Sequence, residues 1–536
     1  MHPVTGDPRA FFALDLGAAS TSAALIGRVA GRWRLLGAAC YPASVPADAI
    51  VEAVVERFAT ADPELAAELD VVAAAGWTRL TATSIPPTGL ATVAVSERAL
   101  VPLVSAASRS GWRVRPGSAE RLDPLAMTSL LLEPDIRAVL VGAGEPPGAD
   151  ERGTLGDLAA LVAAVAQRRP ELTVILAGAM AEQSPRFEAS PDRPGEVLLG
   201  AAASAGRPPG TPLRELLERA RTTRTEARRA FAAGVQALAD ALDRRVEGID
   251  VGLDGSARVS AMPARGDDPP ALHEAVVAAA GLVPLEPDEA TVDAVLAWST
   301  APLDRHRMRD RLRDLRQVPW GDTTGDGAPL RLAAARAAVA RLIAATPQFE
   351  AVPPPDLLVV AGGAWAVAPG PAIALAVADV VRRPAACQVA YDHARLLGPL
   401  GTIEHVDERR TLVADLAGDL LAPLGSVVMP QGMRAGRTGG RLVVHGPGGS
   451  TELDLVPGGL ELVDLPPGER AVAEFQFRDP VRLGTRGRHF AVDVGGGLGG
   501  LLVDMRDVPL RLPDRADRRR ELLAAWQGAL WAGLDR

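Results

Sequence analysis

Two segments of this chain place a carboxylate, a glycine and small hydroxyls in a short turn between apolar runs. One is Asp15-Leu16-Gly17-Ala18-Ala19-Ser20-Thr21-Ser22; the other is Asp250-Val251-Gly252-Leu253-Asp254-Gly255-Ser256. Those residue types suit anion binding, because glycine and small side chains let backbone N–H groups and hydroxyls come close to a phosphate. A carboxylate at a strand end offers the hard oxygen that a magnesium ion takes, directly or through water. A third segment, Leu358 to Ala364, runs an apolar strand into Gly362 and Gly363, and paired glycines admit a flat ligand such as adenosine. Taken singly, each segment also reads as an ordinary hairpin or strand-to-helix turn.

Composition removes other chemistries. The chain of 536 residues contains neither lysine nor asparagine, so every fixed positive charge is an arginine. That excludes a Walker A phosphate loop, a Schiff-base enzyme and an asparagine-dependent oxyanion hole. The net charge of −9 argues against nucleic-acid or anionic-membrane partners, which call for a basic face. Cys40 and Cys387 lie far apart and form no CxxC, which fits a reducing cytoplasm, and the first residues lack the order of a signal peptide. The seven histidines show no zinc-type spacing. Residues 357–378 carry no charge, but their glycines and prolines divide them into strand, turn and helix rather than a membrane span.

The elements that must position the three segments follow from hydrophobic pattern. Residues 11–28 read as strand, turn and strand, with a third strand at 32–41 and a helix at 48–60. A short apolar run, Val71–Trp77, comes next, and Ser96 caps a helix to about Arg109. Strand 136–141, helix 155–167 and strand 172–177 form a βαβ pattern, which favours a parallel sheet covered on both faces. Pro208, Pro209 and Gly210 mark a break. One long charged helix is expected from Thr211 to Arg245, ended by Gly248. Helices are expected near 271–280, 288–298, 302–316, 330–345 and 371–382, with a loop at 321–329 and a strand at 357–361. In the helix near 302–316, Met308, Leu312 and Leu315 form an apolar stripe beneath a solvated face. From Arg441, short strands with Gly/Pro turns predict a small antiparallel module, closed by a helix at 517–530. The glycine-rich run 491–504 reads as a hairpin within it. Expected domains are 1–210, 211–436 and 437–536, and a D-x-G inside a hairpin at the start of two halves hints at duplication.

In this order, the three segments resemble the phosphate-1, phosphate-2 and adenosine motifs of the actin / sugar-kinase / Hsp70 ATPase superfamily. Within it the chain resembles the MutL-type proteins associated with glutamate mutase, which are unrelated to the mismatch-repair protein of that name. The likeness includes ALDLGAASTSAALIG, VEGIDVGLDGSARV, LLVVAGGAWAVAPGPAIALAVADVV and VAYDHARLLGPLGTI. It implies an α/β, two-lobed actin-like (ribonuclease H-like) ATPase fold with an added C-terminal antiparallel β module. It also implies ATP and Mg2+ in an interlobe cleft, and a chaperone-like or reactivating role towards an adenosylcobalamin-dependent mutase such as glutamate mutase. By matching positions, Asp15 and Asp250 are the catalytic, metal-facing carboxylates. Gly17, Ser20, Thr21 and Ser22 serve the first phosphate turn, Gly252, Asp254, Gly255 and Ser256 the second, and Gly362 with Gly363 the adenosine wall.

The chain departs from the family pattern in places. Leu253 and Gly255 stand where Gly and then Thr are usual, Asp254 adds a carboxylate beside a phosphate position, and Ala18 and Ala19 replace hydroxyls. Three functions therefore remain open: an ATPase, a non-hydrolysing scaffold of the same fold, and a small-molecule kinase. Without lysine, only an arginine can stand by a terminal phosphate, and Arg28, Arg258 or Arg265 would have to reach in.

Overall fold

The computed structural model describes residues 9–531 apart from 73–78, 144–146, 189–195, 202–210, 222–225, 267–268, 286, 322–326, 367–369, 435–437 and 507–509. Most of the run Val71–Trp77, the break at Pro208–Gly210 and most of the 321–329 loop lie outside the described residues. The chain divides into two compact units: Met1–Ser84 with Arg224–Glu274 and Ala280–Arg536, and Ile85–Thr223 with Ala275–Ala279.

All three candidate segments belong to the first unit. Its N-terminal sheet contains β1 (Ala10–Leu16), β2 (Ser20–Val29), β3 (Arg32–Pro42) and β4 (Arg79–Thr83), in the order β3-β2-β1-β4. β1 runs antiparallel to β2 and parallel to β4. Phe12, Leu14, Ala23 and Leu25 bury one core beneath this sheet, together with Ile50 and Val54 of the helix Ala47–Ala61.

The second unit holds β5 (Gly89–Ala94), β6 (Arg113–Ser118), β7 (Ile136–Gly142), β8 (Thr173–Ala177) and β9 (Val197–Gly200). They form an all-parallel sheet in the order β6-β5-β7-β8-β9. Separate apolar cores cover its two faces, as the near-continuous apolar strands require. Ser96 caps the helix Glu97–Ser108 through Ala99 N–H, as its position predicts.

β10 (Val246–Val251), β11 (Ser256–Met262), β12 (Ala271–Val277), β13 (Leu357–Ala361), β14 (Ala386–Asp392) and β15 (Leu421–Val428) build the second sheet. It runs β12-β11-β10-β13-β14-β15 and is extended by two further strands. β10 is antiparallel to β11 and parallel to β13, and β13 is parallel to β14. The first five strands therefore have the order 3-2-1-4-5 with the second reversed, and the N-terminal sheet repeats the first four. Two such sheets in one chain make the actin-like, ribonuclease H-like α/β fold. The duplication hinted at by the paired D-x-G hairpins is present in the strand order.

Three expectations are corrected. Residues 211–245 form two helices, Thr211–Arg221 and Ala227–Leu242, not one. Glu226 caps the second through Arg229 N–H, and Asp243 ends it at φ +50°. Gly248 thus sits inside β10, where a Cβ would crowd Phe231 and Val235, and it does not terminate a helix. Residues 271–277 are strand β12, not helix, followed by a 3-10 turn at Ala278–Ala280. Local alanine content favours a helix there, but pairing with the edge of β11 wins. Finally, the C-terminal strands do not all form one module. β16 (Gly440–Gly446), β17 (Gly449–Leu455), β19 (Arg470–Leu483) and β20 (Thr485–Gly495) make an added antiparallel sheet. β18 (Leu460–Val463) and β21 (Leu501–Asp504) instead complete the second sheet, β21 lying parallel to β15. Among the described residues no helix is long and apolar enough to cross a membrane.

Candidate functional site

The two D-x-G hairpins close in the same way. Gly17 N–H donates to the Ser20 carbonyl at 3.1 Å, and Gly252 N–H donates to the Gly255 carbonyl at 3.0 Å. Antiparallel register then sets Asp15 opposite Ser22 and Asp250 opposite Ala257. The second turn is backed by Gly281, whose missing Cβ leaves room for Leu253, Asp254 and Gly255. Parallel pairing places Ala361 beside Asp250, so the glycine pair of the third segment follows at once. Gly362 has φ +93°, and a Cβ there would strike the Asp250 carboxylate and the Val251 carbonyl. Only glycine fits that position without strain.

At the centre stands a residue that the sequence reading did not nominate. Arg395 follows the end of β14 and adopts φ +55°, unusual for a non-glycine residue. Its N–H donates to the Asp392 carbonyl at 3.2 Å, which turns the chain tightly. Its guanidinium Nη1 donates to Ser20 Oγ at 2.9 Å and lies 3.8 Å from Asp15 Oδ2. Nη2 of the same group is 3.3 Å from the place a Cβ on Gly363 would take. Asp392 fixes the turn by accepting from Leu396 N–H at 2.8 Å and Leu397 N–H at 3.0 Å. The adjoining Ala394 carbonyl accepts from Ser22 Oγ at 3.2 Å. A second arginine, Arg228, is buried beside the other hairpin. Its Nη2 is 3.2 Å from the Cβ position of Gly252, and its Nη1 is 3.5 Å from Glu226 Oε1.

The electrostatics follow from burial. Asp15 is pushed up to about 7, first by burial and then by the neighbouring Asp250 and Asp392 carboxylates, against the pull of Arg395 and Arg228. Asp250 is also raised by burial, opposed by Arg228 and Arg395. Burial lifts Asp392 to about 6, with the two backbone N–H groups holding it down. Burial alone would lower Arg395, but Cys40, Asp15, Tyr391 and Asp250 together keep it above its ordinary value.

The arrangement gathers Asp15, Ser20, Gly363 and Arg395, with Asp250 against Gly362 and Gly252 beneath Arg228. Other candidates spend their polar atoms elsewhere. Asp254 pairs with Arg316 at 2.7 Å. Ser256 is fully buried and donates to the Ala280 carbonyl at 2.6 Å. Thr21 is buried in the first hairpin, and Gly255 serves through its backbone carbonyl. The arginines considered from sequence lie apart from this centre. Arg258 is bound to Glu247 at 2.8 Å and stacks over Phe349, and Arg28 donates to the Gly31 carbonyl at 3.5 Å. Arg265 acts on Asp356. Arg395, Asp392 and Arg228 were missed. A carboxylate at the end of a buried strand with an arginine three residues on was the available signal for the first two.

Magnesium, which the fold family implies, does not fit this donor set. Asp15 offers hard oxygen, but the Arg395 guanidinium already stands beside it and holds the Ser20 hydroxyl. Nor do protein side chains alone offer an ion a full set of ligands: among the described residues, no three His, Cys, Asp or Glu side chains are grouped. A cavity of about 640 Å³ opens elsewhere, lined by Arg244, Gln388, His445, Arg470 and Asp493 among others.

No protein-family model matches this sequence, and no curated protein matches it. Distant likenesses exist among solved structures. An activator of the 2-hydroxyisocaproyl-CoA dehydratase from Clostridium difficile with bound ADPNP is 8% identical, with 75% of this chain and 96% of that one covered and a TM-score of 0.26. A PilM-PilN type IV pilus biogenesis complex is 14% identical, covering 76% and 98%, with a TM-score of 0.20. Leishmania braziliensis glucokinase is 12% identical, covering 74% and 93%, with a TM-score of 0.21.

Proposed function

We propose that this chain is an actin-like nucleotide-binding protein that acts on a protein partner and does not turn over ATP at a catalytic rate. The proposed partner is an adenosylcobalamin-dependent mutase such as glutamate mutase, and that part rests on sequence resemblance alone. The observation that carries the reading is Arg395. It stands between Asp15 and Ser20, which the resemblance assigns to metal and the first phosphate turn, and Gly363, which it assigns to the adenosine wall. Phosphoryl transfer depends on metal and a positioned water, which a guanidinium does not supply, although it can stabilise charge on a transferring phosphoryl group. In this reading the nucleotide serves as a conformational ligand, and the partner reads the outcome.

A reactivating ATPase is the second reading, and one observation favours it. A carboxyl raised to about 7, as at Asp15, is matched to general-base work near neutrality. Calorimetric titration with Mg-ATP, followed by a phosphate-release assay with an Asp15→Ala control, separates the two. Binding without Asp15-dependent release supports the scaffold; release that Asp15→Ala abolishes supports the ATPase. Binding of no nucleotide at all overturns both. Release stimulated by a sugar or an acid would instead indicate a kinase. Co-purification with the mutase subunits tests the partner.

A further inference from the structure

The surroundings of Arg395 hold its backbone in place. The turn that carries it is fixed by Asp392, which binds two successive backbone N–H groups. The residues that follow, Leu396, Leu397 and Leu400, are fully buried. Helix Ala227–Leu242 packs so closely on them that a Cβ at Gly234 would strike the Leu397 backbone, and one at Gly401 would strike Ala230. The left-handed backbone at Arg395 is therefore imposed by its neighbours, as sparsely populated conformations usually are. The backbone that carries the guanidinium is thus fixed, and the side chain itself is only 7% exposed where it meets Asp15 and Ser20.

The charges around it are balanced. Arg395 faces Asp15 and holds Ser20, with Asp250 and Asp392 also acting on it or its partners. On the side of the second hairpin, Arg228 is the charge facing Asp250, itself paired with Glu226. A divalent ion placed at Asp15 would lie within a few ångströms of a buried guanidinium, where like charges repel strongly. Gly363 preserves the space the guanidinium occupies, since its Cβ would press on Nη2.

We infer that Arg395 is a built-in cation that replaces the divalent metal at the Asp15/Asp250 centre, so that nucleotide binding by this chain is independent of magnesium. The inference rests on the nucleotide-binding reading above for its second half only. Its first half concerns the protein's own carboxylates and stands without nucleotide.

Manganese titration followed by electron paramagnetic resonance, on the full chain, tests the first half. Wild type is expected to hold no manganese more tightly than about 1 mM. Arg395→Ala frees the carboxylates and should gain a site at least about tenfold tighter, which Asp15→Asn in the same chain removes. Arg395→Gln also removes the charge while keeping much of the side chain and serves in place of the alanine variant if that one does not fold; Arg395→Lys keeps the charge and should stay metal-free. Calorimetry with ATP in magnesium and in EDTA tests the second half, with dissociation constants expected to agree within about twofold. A micromolar manganese site in wild type, or ATP binding weakened tenfold by EDTA, overturns the inference. If ATP binds under neither condition, the nucleotide reading fails, while the manganese titration still decides the role of Arg395.

Discussion

Arg316 Nη2 donates to Asp254 Oδ1 at 2.7 Å, while Nη1 of the same side chain donates to the Val283 carbonyl at 2.7 Å. The sequence sets Asp254 in a turn expected to meet phosphate, where its charge would oppose binding. The pairing neutralises that charge and turns it away from the hairpin. Arg316 comes from the helix Arg305–Gln317, which docks through buried Met308, Leu312 and Leu315. The two partners should not be equivalent. Arg316→Ala leaves a mostly buried carboxylate without its cation and should cost about 2 kcal/mol in denaturant unfolding. Asp254→Asn keeps a hydrogen-bond acceptor and leaves Arg316 on the Val283 carbonyl, so it should cost under about 1 kcal/mol. Equal costs would mean that the pair acts only as a surface contact.

The adjacent glycines of the third segment should also differ. Gly362→Ala must adopt φ +93° and meet the Asp250 carboxylate and the Val251 carbonyl, which are braced by the sheet. A loss of about 3 kcal/mol or more is expected. At Gly363 the nearest atom is the tip of the Arg395 side chain, 3.3 Å away. Gly363→Ala should cost about 1 kcal/mol and act mainly by pushing the guanidinium. Urea unfolding of both variants checks the ranking, and an equal or reversed order would contradict it.

Ser256 lies in the second turn, but its hydroxyl is committed to the Ala280 carbonyl at 2.6 Å. Ser256→Ala should therefore destabilise by about 1–2 kcal/mol, because a buried acceptor loses its donor. Nucleotide affinity should be unchanged in calorimetry. A selective loss of affinity with stability intact would return the hydroxyl to a phosphate-binding role.

Much of this was legible in the sequence, and for a physical reason. Leu14-Asp15-Leu16-Gly17 and Ile249-Asp250-Val251-Gly252 declare their hairpins through local chemistry alone: an apolar strand, then small residues that tolerate a tight turn. Short-range signals also set Ser96 as a cap and Met308, Leu312 and Leu315 as one buried stripe. What failed depended on partners distant in sequence. β12 is a strand because β11 offers it an edge, and β21 leaves the C-terminal module because β15 is free to accept it in parallel. The site divides the same way. Asp15, Asp250 and Gly362 could be nominated from their own neighbours, whereas Arg395 is 375 residues from the Ser20 hydroxyl it holds. Whether Asp254 or Ser256 faces a turn or leaves it depends on Arg316 and Ala280, and no local pattern carries that information.

The raised carboxyls give a pH dependence of unusual sign. Asp15 has a folded value of about 7 against an ordinary value of 3.8, and Asp392 about 6 against 3.8. Such groups bind protons more tightly in the folded chain than in the unfolded one. Their contribution to stability is complete below the unfolded value, falls as pH rises through the window from about 4 to about 7, and is flat above it. Other carboxylates, such as Asp504 held down by Arg506 and Arg382 against its burial, lose stability in acid and mask the effect in wild type alone. The comparison that isolates Asp15 is wild type against Asp15→Asn. The variant removes the charge that burial penalises, and Arg395 keeps Ser20 and the nearby Asp250. Folded wild-type Asp15 is still protonated at pH 5 while its unfolded form is already ionised, so part of the effect is present there. Between pH 5 and pH 8 the stability of the variant relative to wild type should rise by a further ~2–3 kcal/mol. Denaturant midpoints at half-unit steps from pH 5 to 8 measure the difference directly. A variant that is less stable at pH 8, or a difference that does not change with pH, would show that Asp15 is ionised throughout and fully matched by Arg395.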